Sequence, residues 1–417
     1  MESGWIHSSQ LSRMKIISFM LILLGISCTE NVARSASDAP NLPVREMRTG
    51  AEKIEDYLPL IKGKRIAVVA NHTSLIGPVH LVDTLVSLKM DIVRIFAPEH
   101  GFRGDHGAGE TVADGKDIRT GIPLVSLYGK NKKPSAAMLA DVDCILFDIQ
   151  DVGARFYTYI STMHYIMEAA AESGKEVIIL DRPNPNGFYI DGPVLKPEFR
   201  SFVGMHQIPV VHGCTVGELA GMINGEGWLA DSLRCDLKVI TCDGYAHDSL
   251  YMCPVPPSPN LTSPEAIYMY PSLCFFEGTI VSVGRGTDLP FCLIGYPGCP
   301  SGKITFTPRD IPGTVTDPLY EGETCKGHDL TAFGSIYFTS ARRIYLDWLI
   351  SMYHESDMGE RFFSSPGFFD KLAGTDELRK QVTTGMSADE ISRSWQDDLE
   401  RYRQTRRKYL LYPDFTE

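Results

Sequence analysis

From Lys64 onward, short runs of consecutive apolar residues alternate with stretches of helical periodicity, the pattern of parallel strands covered by helices on both faces. Arg65 to Ala70, Ile92 to Ala97, Pro123 to Tyr128, Cys144 to Asp148 and Val177 to Leu180 read as strands, continuous in Val, Ile and Leu because both sides are buried. Helices are predicted over Leu81 to Leu88, Tyr157 to Ser173 and Thr215 to Asn224. The last opens on Thr215 with Glu218 three residues on, the two halves of a capping box. Past Gly298 the pattern changes to extended segments at Ile304 to Thr307 and Ser335 to Thr339, then helices over Ala341 to Tyr353 and Ala388 to Tyr402. The expected fold class is α/β: a Rossmann-like, doubly wound parallel sheet over residues 45–298, followed by a smaller α+β domain over 299–417. Pro254 to Pro264 is stiffened by its prolines and either closes one side of a cleft or joins two layers.

Residues 1–36 read as an export signal and not as part of the fold. Arg13 and Lys15 precede an apolar run from Ile16 to Ile26, short for a membrane span but suited to a signal core. Two processings fit: lipid attachment at Cys28, which follows Leu24-Gly25-Ile26-Ser27, and cleavage near Ala33 to Ala36. The expected location is the periplasm of a Gram-negative bacterium, free or as a membrane-anchored lipoprotein. Removing or lipidating Cys28 leaves nine of the ten cysteines, an odd number that speaks against a disulfide framework. A net charge of -12 opposes contact with nucleic acid or an anionic membrane surface.

Loops that leave parallel strands at their carboxyl ends converge on one edge of the sheet, and chemistry is sought there. After the first strand stands Asn71-His72-Thr73-Ser74 in place of a Gly-x-Gly-x-x-Gly turn, so no dinucleotide cofactor is expected. The second strand runs into Pro98-Glu99-His100-Gly101-Phe102-Arg103-Gly104 and on to His106 and Glu110, titratable groups on a glycine-rich backbone able to approach a ligand. The fourth strand ends in Asp148-Ile149-Gln150-Asp151 and continues through Arg155, Tyr157 and Tyr159. Its carboxylates suit sugar hydroxyls and its arginine suits a carboxylate, while Asp151 and Arg155 pairing with each other is the structural alternative. The fifth strand ends in Asp181-Arg182-Pro183-Asn184-Pro185, and Glu277 and Arg285 lie farther on in Phe276-Glu277-Gly278 and Gly284-Arg285-Gly286-Thr287.

Taken together these ordered motifs resemble the NamZ-type exo-β-N-acetylmuramidases over nearly everything after residue 50. The resemblance implies a Rossmann-like catalytic domain with a smaller accessory domain, and release of N-acetylmuramic acid from the non-reducing end of peptidoglycan fragments. It implies Glu99 as the leading catalytic carboxylate, a general acid or acid/base. Glycoside hydrolysis ordinarily divides its work between two carboxyl groups, with Glu110, ahead of Asp151, open as the partner, and participation of the substrate's own acetamido group as the alternative that needs no protein nucleophile. Burial against Phe102 would raise the Glu99 pKa, and His100 or Arg103 would lower it. Substrate contacts are expected from Asn71, His100, Arg103, Asp148, Gln150, Arg155, Tyr157, Asp181, Asn184, Glu277 and Arg285. No cofactor or metal is expected, and oligomeric state is left open. Two other readings stand beside this one: a metal-dependent deacetylase or amidase using Glu99, His100, His106, Asp148 and Asp151, and a non-catalytic glycan-binding lipoprotein.

Overall fold

Seven strands form the main sheet: β1 Arg65–Ala70, β2 Asp91–Ala97, β3 Gly115–Lys116, β4 Pro123–Ser126, β5 Cys144–Asp148, β6 Glu176–Leu180 and β7 Asp236–Ile240. The computed structural model describes residues 47–103, 114–129 and 131–416. The export signal, Cys28, Gly104, His106 and Glu110 lie outside the described residues. Spatial order is β3-β4-β2-β1-β5-β6-β7, parallel throughout except for β3, which is antiparallel to β4. Strands β1, β2 and β4 therefore build outward on one side, and the chain then returns to lay β5 against the other side of β1. That reversal opens a crevice at the carboxyl ends of the strands, where doubly wound sheets bind ligands.

Side-chain alternation along the strands splits the core into two layers. Ala67, Val69, Ile145, Phe147, Val177 and Ile179 face one core, and Ile66, Val68, Cys144, Leu146, Ile178 and Leu180 face the other. This is the doubly covered sheet that continuous apolar runs require. The edge strand β7 is absent from the sequence reading because Asp236 and Lys238 interrupt its apolar residues, and one of its faces stays partly wet.

The helices are α1 Ile54–Ile61, α2 Leu81–Ser87, α3 Ala136–Leu139, α4 Tyr159–Ser173, α5 Val216–Gly225 and α6 Pro264–Leu273, then α7 Thr331–Ala341, α8 Asp347–Ser356, α9 Pro366–Ala373, α10 Glu377–Thr383, α11 Ala388–Ser394 and α12 Gln396–Arg406. The capping box of α5 forms as read: Glu218 N–H donates to Thr215 Oγ1 at 3.2 Å, and Thr215 N–H donates to Glu218 Oε2 at 2.9 Å. A second, antiparallel sheet has the order β8-β10-β9, from β8 Leu293–Tyr296, β9 Ile304–Phe306 and β10 Cys325–Asp329.

Three readings of the C-terminal part are corrected. Ser335 to Thr339 is helical and lies within α7, because that segment packs on α6: a Cβ at Gly334 would sit 2.9 Å from Met269, and Phe338 is fully buried. Tertiary packing overrides the strand preference of its aromatic and β-branched residues. The helix expected from Ala341 begins only at Asp347, since Arg342 turns left-handed (φ 50°, ψ 41°) and ends α7. The helix expected over Ala388 to Tyr402 breaks at Trp395, whose buried indole N–H donates to Asp191 Oδ1 at 3.0 Å.

Candidate active site

Beyond β2 the chain turns sharply, with Gly101 N–H donating to Pro98 O at 3.1 Å. His100 (φ 71°) and Gly101 (φ 77°) both take the left-handed conformation, which costs energy at a residue with a Cβ and is sustained here by a buried His100 ring. Glu99 is thereby set over the carboxyl edge of the sheet, half-buried, where Thr158 Oγ1 donates to its Oε2 at 3.1 Å. Burial, then the neighbouring Glu99 carboxylate, push the Tyr128 phenol up to about 12. The same two causes raise Tyr159.

Glu99 faces a cavity of about 560 Å³ that also receives Tyr128, Lys132, Phe202, Glu277 and Arg285. Phe368 and Leu372 of α9 complete the wall, so the C-terminal part of the chain helps to build the site. An adjoining recess of about 70 Å³ brings His100, Tyr157, Ser258 and Asn260 beside Glu99 and Arg285. The proline-rich crossing closes this side, with Pro256 O accepting from His72 Nε2–H at 2.8 Å and Pro257 O accepting from the Tyr157 hydroxyl at 2.7 Å. Arg285 Nε donates to Glu277 Oε1 at 2.6 Å, and its guanidinium lies 5.0 Å from the Phe291 ring centre. Burial opposes the charge on Arg285, and Glu277 outweighs it and keeps the guanidinium protonated.

Of the groups expected from the loop after β5, the structure brings only Tyr157 to the recess beside Glu99. Only its later residues, Phe156 to Tyr159, reach the cavity and recess. Asp148 is fully buried and accepts two hydrogen bonds from Arg182, at 2.6 and 2.9 Å. Gln150 Nε2 donates to Asp151 O and Pro183 O, both at 2.8 Å. Asp151 Oδ2 accepts from Gly153 N–H at 2.7 Å and lies 3.7 Å from His212, while its buried Oδ1 has no hydrogen-bond partner among the described residues; Asp151 does not line the cavity. Arg155 neither pairs with Asp151 nor offers a fork to substrate. Its two terminal nitrogens donate to the carbonyls of Pro193, Ile208, Leu372 and Ala373 at 2.7 to 2.9 Å. Burial pulls its pKa down to about 9, which leaves it charged at neutral pH. Gly374, left-handed at φ +74°, permits this approach, since a Cβ there would lie 2.6 Å from the guanidinium. Arg155 thus ties the end of α9 to the loop after β5.

Four further side chains expected at the substrate are held wholly or in part by partners inside the fold. Asn71 Oδ1 accepts from the Thr73 amide and hydroxyl at 2.9 and 2.6 Å, while its buried Nδ2 has no partner among the described residues. Asp181 accepts from Thr215, Gly217 and Tyr412 at 2.6 to 2.8 Å. Asn184 donates to Cys214 O and accepts from Asn186 N–H, both at 2.8 Å. Arg103 is held by Asp117 at 2.8 and 2.9 Å and by Asp83 at 3.1 Å, while Phe102 packs edge-on to His80 and not into the cavity. Among the described residues no group of three or more His, Cys, Asp or Glu side chains is placed to share a metal ion.

Tyr128, Lys132, Phe202 and Tyr270 were not singled out from the sequence, although Tyr128 and Lys132 follow the end of β4 and the same edge rule would have found them. A family model for the N-terminal part of exo-β-N-acetylmuramidase NamZ matches residues 66–265, and one for its C-terminal part matches residues 268–412. The chain belongs to the NamZ family. A NamZ relative, the peptidoglycan β-N-acetylmuramidase of Bacillus subtilis (strain 168), is 38% identical over 422 residues, covering 96% of this chain and 100% of that protein. Two solved structures of DUF1343 family proteins from Bacteroides fragilis NCTC 9343 share the fold. One is 48% identical with a TM-score of 0.82, covering 88% of this chain and 99% of that one. The other is 29% identical with a TM-score of 0.71, covering 89% and 100%.

Proposed function

We propose that this chain is a peptidoglycan β-N-acetylmuramidase, a glycoside hydrolase that releases N-acetylmuramic acid from the non-reducing end of cell-wall fragments, with Glu99 as its acid/base. The observation that carries the reading is Glu99 itself: a half-buried carboxylate at the carboxyl edge of the sheet, facing a cavity of about 560 Å³ in a chain of the NamZ family. That volume suits a sugar residue with its substituents. Cleavage needs a proton delivered to a poor leaving oxygen while positive charge grows at the anomeric carbon. Glu99 delivers the proton, and Thr158 orients it through the hydroxyl hydrogen bond. Glu277, anchored by Arg285, is the second carboxyl group that the described cavity holds, and it takes the place considered for Asp151.

Lys132 receives the lactyl carboxylate in place of Arg155. Its ammonium lies over the Phe202 ring, 4.0 Å from the centre, and forms no salt bridge among the described residues. A charge-assisted contact there distinguishes muramic acid from an uncharged hexosamine. Export fits the same task, because the substrate polymer lies outside the cytoplasm; the basic residues Arg13 and Lys15 before the apolar run support it.

Replacing Glu99 with Gln lowers turnover of a chromogenic muramic acid glycoside by a factor of about 10²–10⁴ without changing the melting temperature. Near-normal turnover in that variant refutes its role. Activity persists in chelator; loss of activity there would favour the metal-dependent deacetylase or amidase instead.

A further inference from the structure

A second cavity, of about 580 Å³, is built by α4, the segment from Pro197 to Gln207 and the turn from Gly227 to Ser232. It shares no lining residue with the Glu99 cavity, yet one segment borders both: Phe202 and Val203 line the first, while Arg200, Met205 and His206 line the second. The Tyr165 ring on α4 lines the second cavity and stacks on Phe202, with centroids 6.3 Å apart and planes 12° from parallel. Ser161 Oγ, one turn earlier, donates to Phe202 O at 2.7 Å and fixes that partition.

The second cavity is polar, with charges of both signs and no concentration of either: Arg200 against Asp231 and a Glu168 already paired with Lys133. His164 Nδ1 and His206 Nε2 lie 3.0 Å apart, and burial pulls both rings below the ordinary histidine value, so they are neutral at neutral pH. Glu168 is taken up by Lys133 and by the Ala230 amide, each at 2.7 Å. Arg200 Nε donates to Met205 O at 2.8 Å, and the exposed Asp231 lines the same cavity. A phosphate or a polyanion needs concentrated positive charge, which this wall lacks. Trp228 and Tyr165 contribute aromatic surface, and Gln207 and Ser232 contribute groups that both donate and accept. Asp231 (φ 52°) and Ser232 (φ 54°) hold consecutive left-handed conformations at the rim.

We infer that this cavity is a secondary saccharide site that takes an uncharged pyranose, an N-acetylhexosamine unit of the glycan strand, beside the cavity where the strand is cut. The saccharide chemistry rests on the cavity alone; the cell-wall source rests on the muramidase reading. Holding a second sugar raises affinity for longer fragments without entering the bond-breaking step.

The test titrates the full chain carrying Glu99→Gln with N,N′-diacetylchitobiose by calorimetry, then repeats the titration with Trp228→Ala or Gln207→Ala added. Trp228→Ala is expected to weaken binding by about tenfold through the lost aromatic surface. Gln207, whose side chain is exposed, provides a variant that keeps the fold, and Gln207→Ala weakens binding by a smaller factor. Absence of binding to the parent, or equal affinity in parent and both variants, overturns the inference. So does preferential, Trp228-dependent binding of a stem tetrapeptide over the disaccharide. Trp228-dependent disaccharide binding in a chain that never releases muramic acid would leave this site standing and remove the muramidase reading.

Discussion

Strands β2 and β5 flank β1 and end on the same edge of the sheet, but the loops that leave them do opposite work. The β2 loop sets Glu99 half-buried against a cavity, with Thr158 donating to one oxygen. The β5 loop spends most of its polar atoms on the chain itself: Asp148 on Arg182, Gln150 Nε2 on two carbonyls, Asp151 Oδ2 on an amide, and the terminal nitrogens of Arg155 on four carbonyls, while Gln150 Oε1 and Asp151 Oδ1 have no partner among the described residues. Topology brings both loops to one edge. Hydrogen-bond satisfaction then decides which of them is available to a substrate, because a buried donor or acceptor left without a partner is costly.

The contrast is broken most severely at Arg155. Arg155→Met leaves the buried carbonyls of Pro193, Leu372 and Ala373 without their donor, Ile208 O keeping the Leu195 amide at 3.2 Å, and at about 1 kcal/mol each the variant loses about 3 kcal/mol of stability. Urea denaturation measures this; a loss below about 1 kcal/mol would mean that the β5 loop is not the brace described. A smaller effect falls on substrate affinity. Lys132→Met is expected to raise KM for a muramic acid glycoside about tenfold with kcat nearly unchanged, and to leave the corresponding glucosaminide unaffected. Equal losses on both glycosides would detach Lys132 from the lactyl group.

The smallest effect tests the support of the β2 loop by pH. Burial alone would raise the Asp117 pKa, but hydrogen bonds from Arg103 and Thr120 outweigh it and hold the carboxyl at about 2. Folding therefore favours the carboxylate. Its contribution is complete above the ordinary value of 3.8 and is lost as the pH falls from there toward 2. Melting temperatures of Asp117→Asn should fall less steeply than those of the parent across that window. An unchanged slope would remove Asp117 as the anchor of Arg103.

The parallel strands were legible because burial on both faces leaves a local record, an unbroken run of Val, Ile and Leu. β7 escaped because Asp236 and Lys238 give an edge strand a wet face, and α7 escaped because its packing on α6 is set by Met269, far back in the chain. The Glu99 loop was legible from its position after a strand and its density of titratable groups. Asp148, Asp151 and Arg155 looked equivalent to it by the same signs, since residue type and spacing say nothing about partners.

The sequence by itself determined the alternation of strands and helices, the edge on which chemistry collects, the family motifs and the prominence of Glu99. Only the tertiary structure decided that Arg155 binds the carbonyls of Leu372 and Ala373, 217 and 218 residues away, and that Lys132, Phe202, Glu277 and α9 meet around one cavity. Periodicity records whether a side chain faces core or water. It carries no record of which distant group satisfies a hydrogen bond, and that pairing separates a buried brace from a group that faces the cavity.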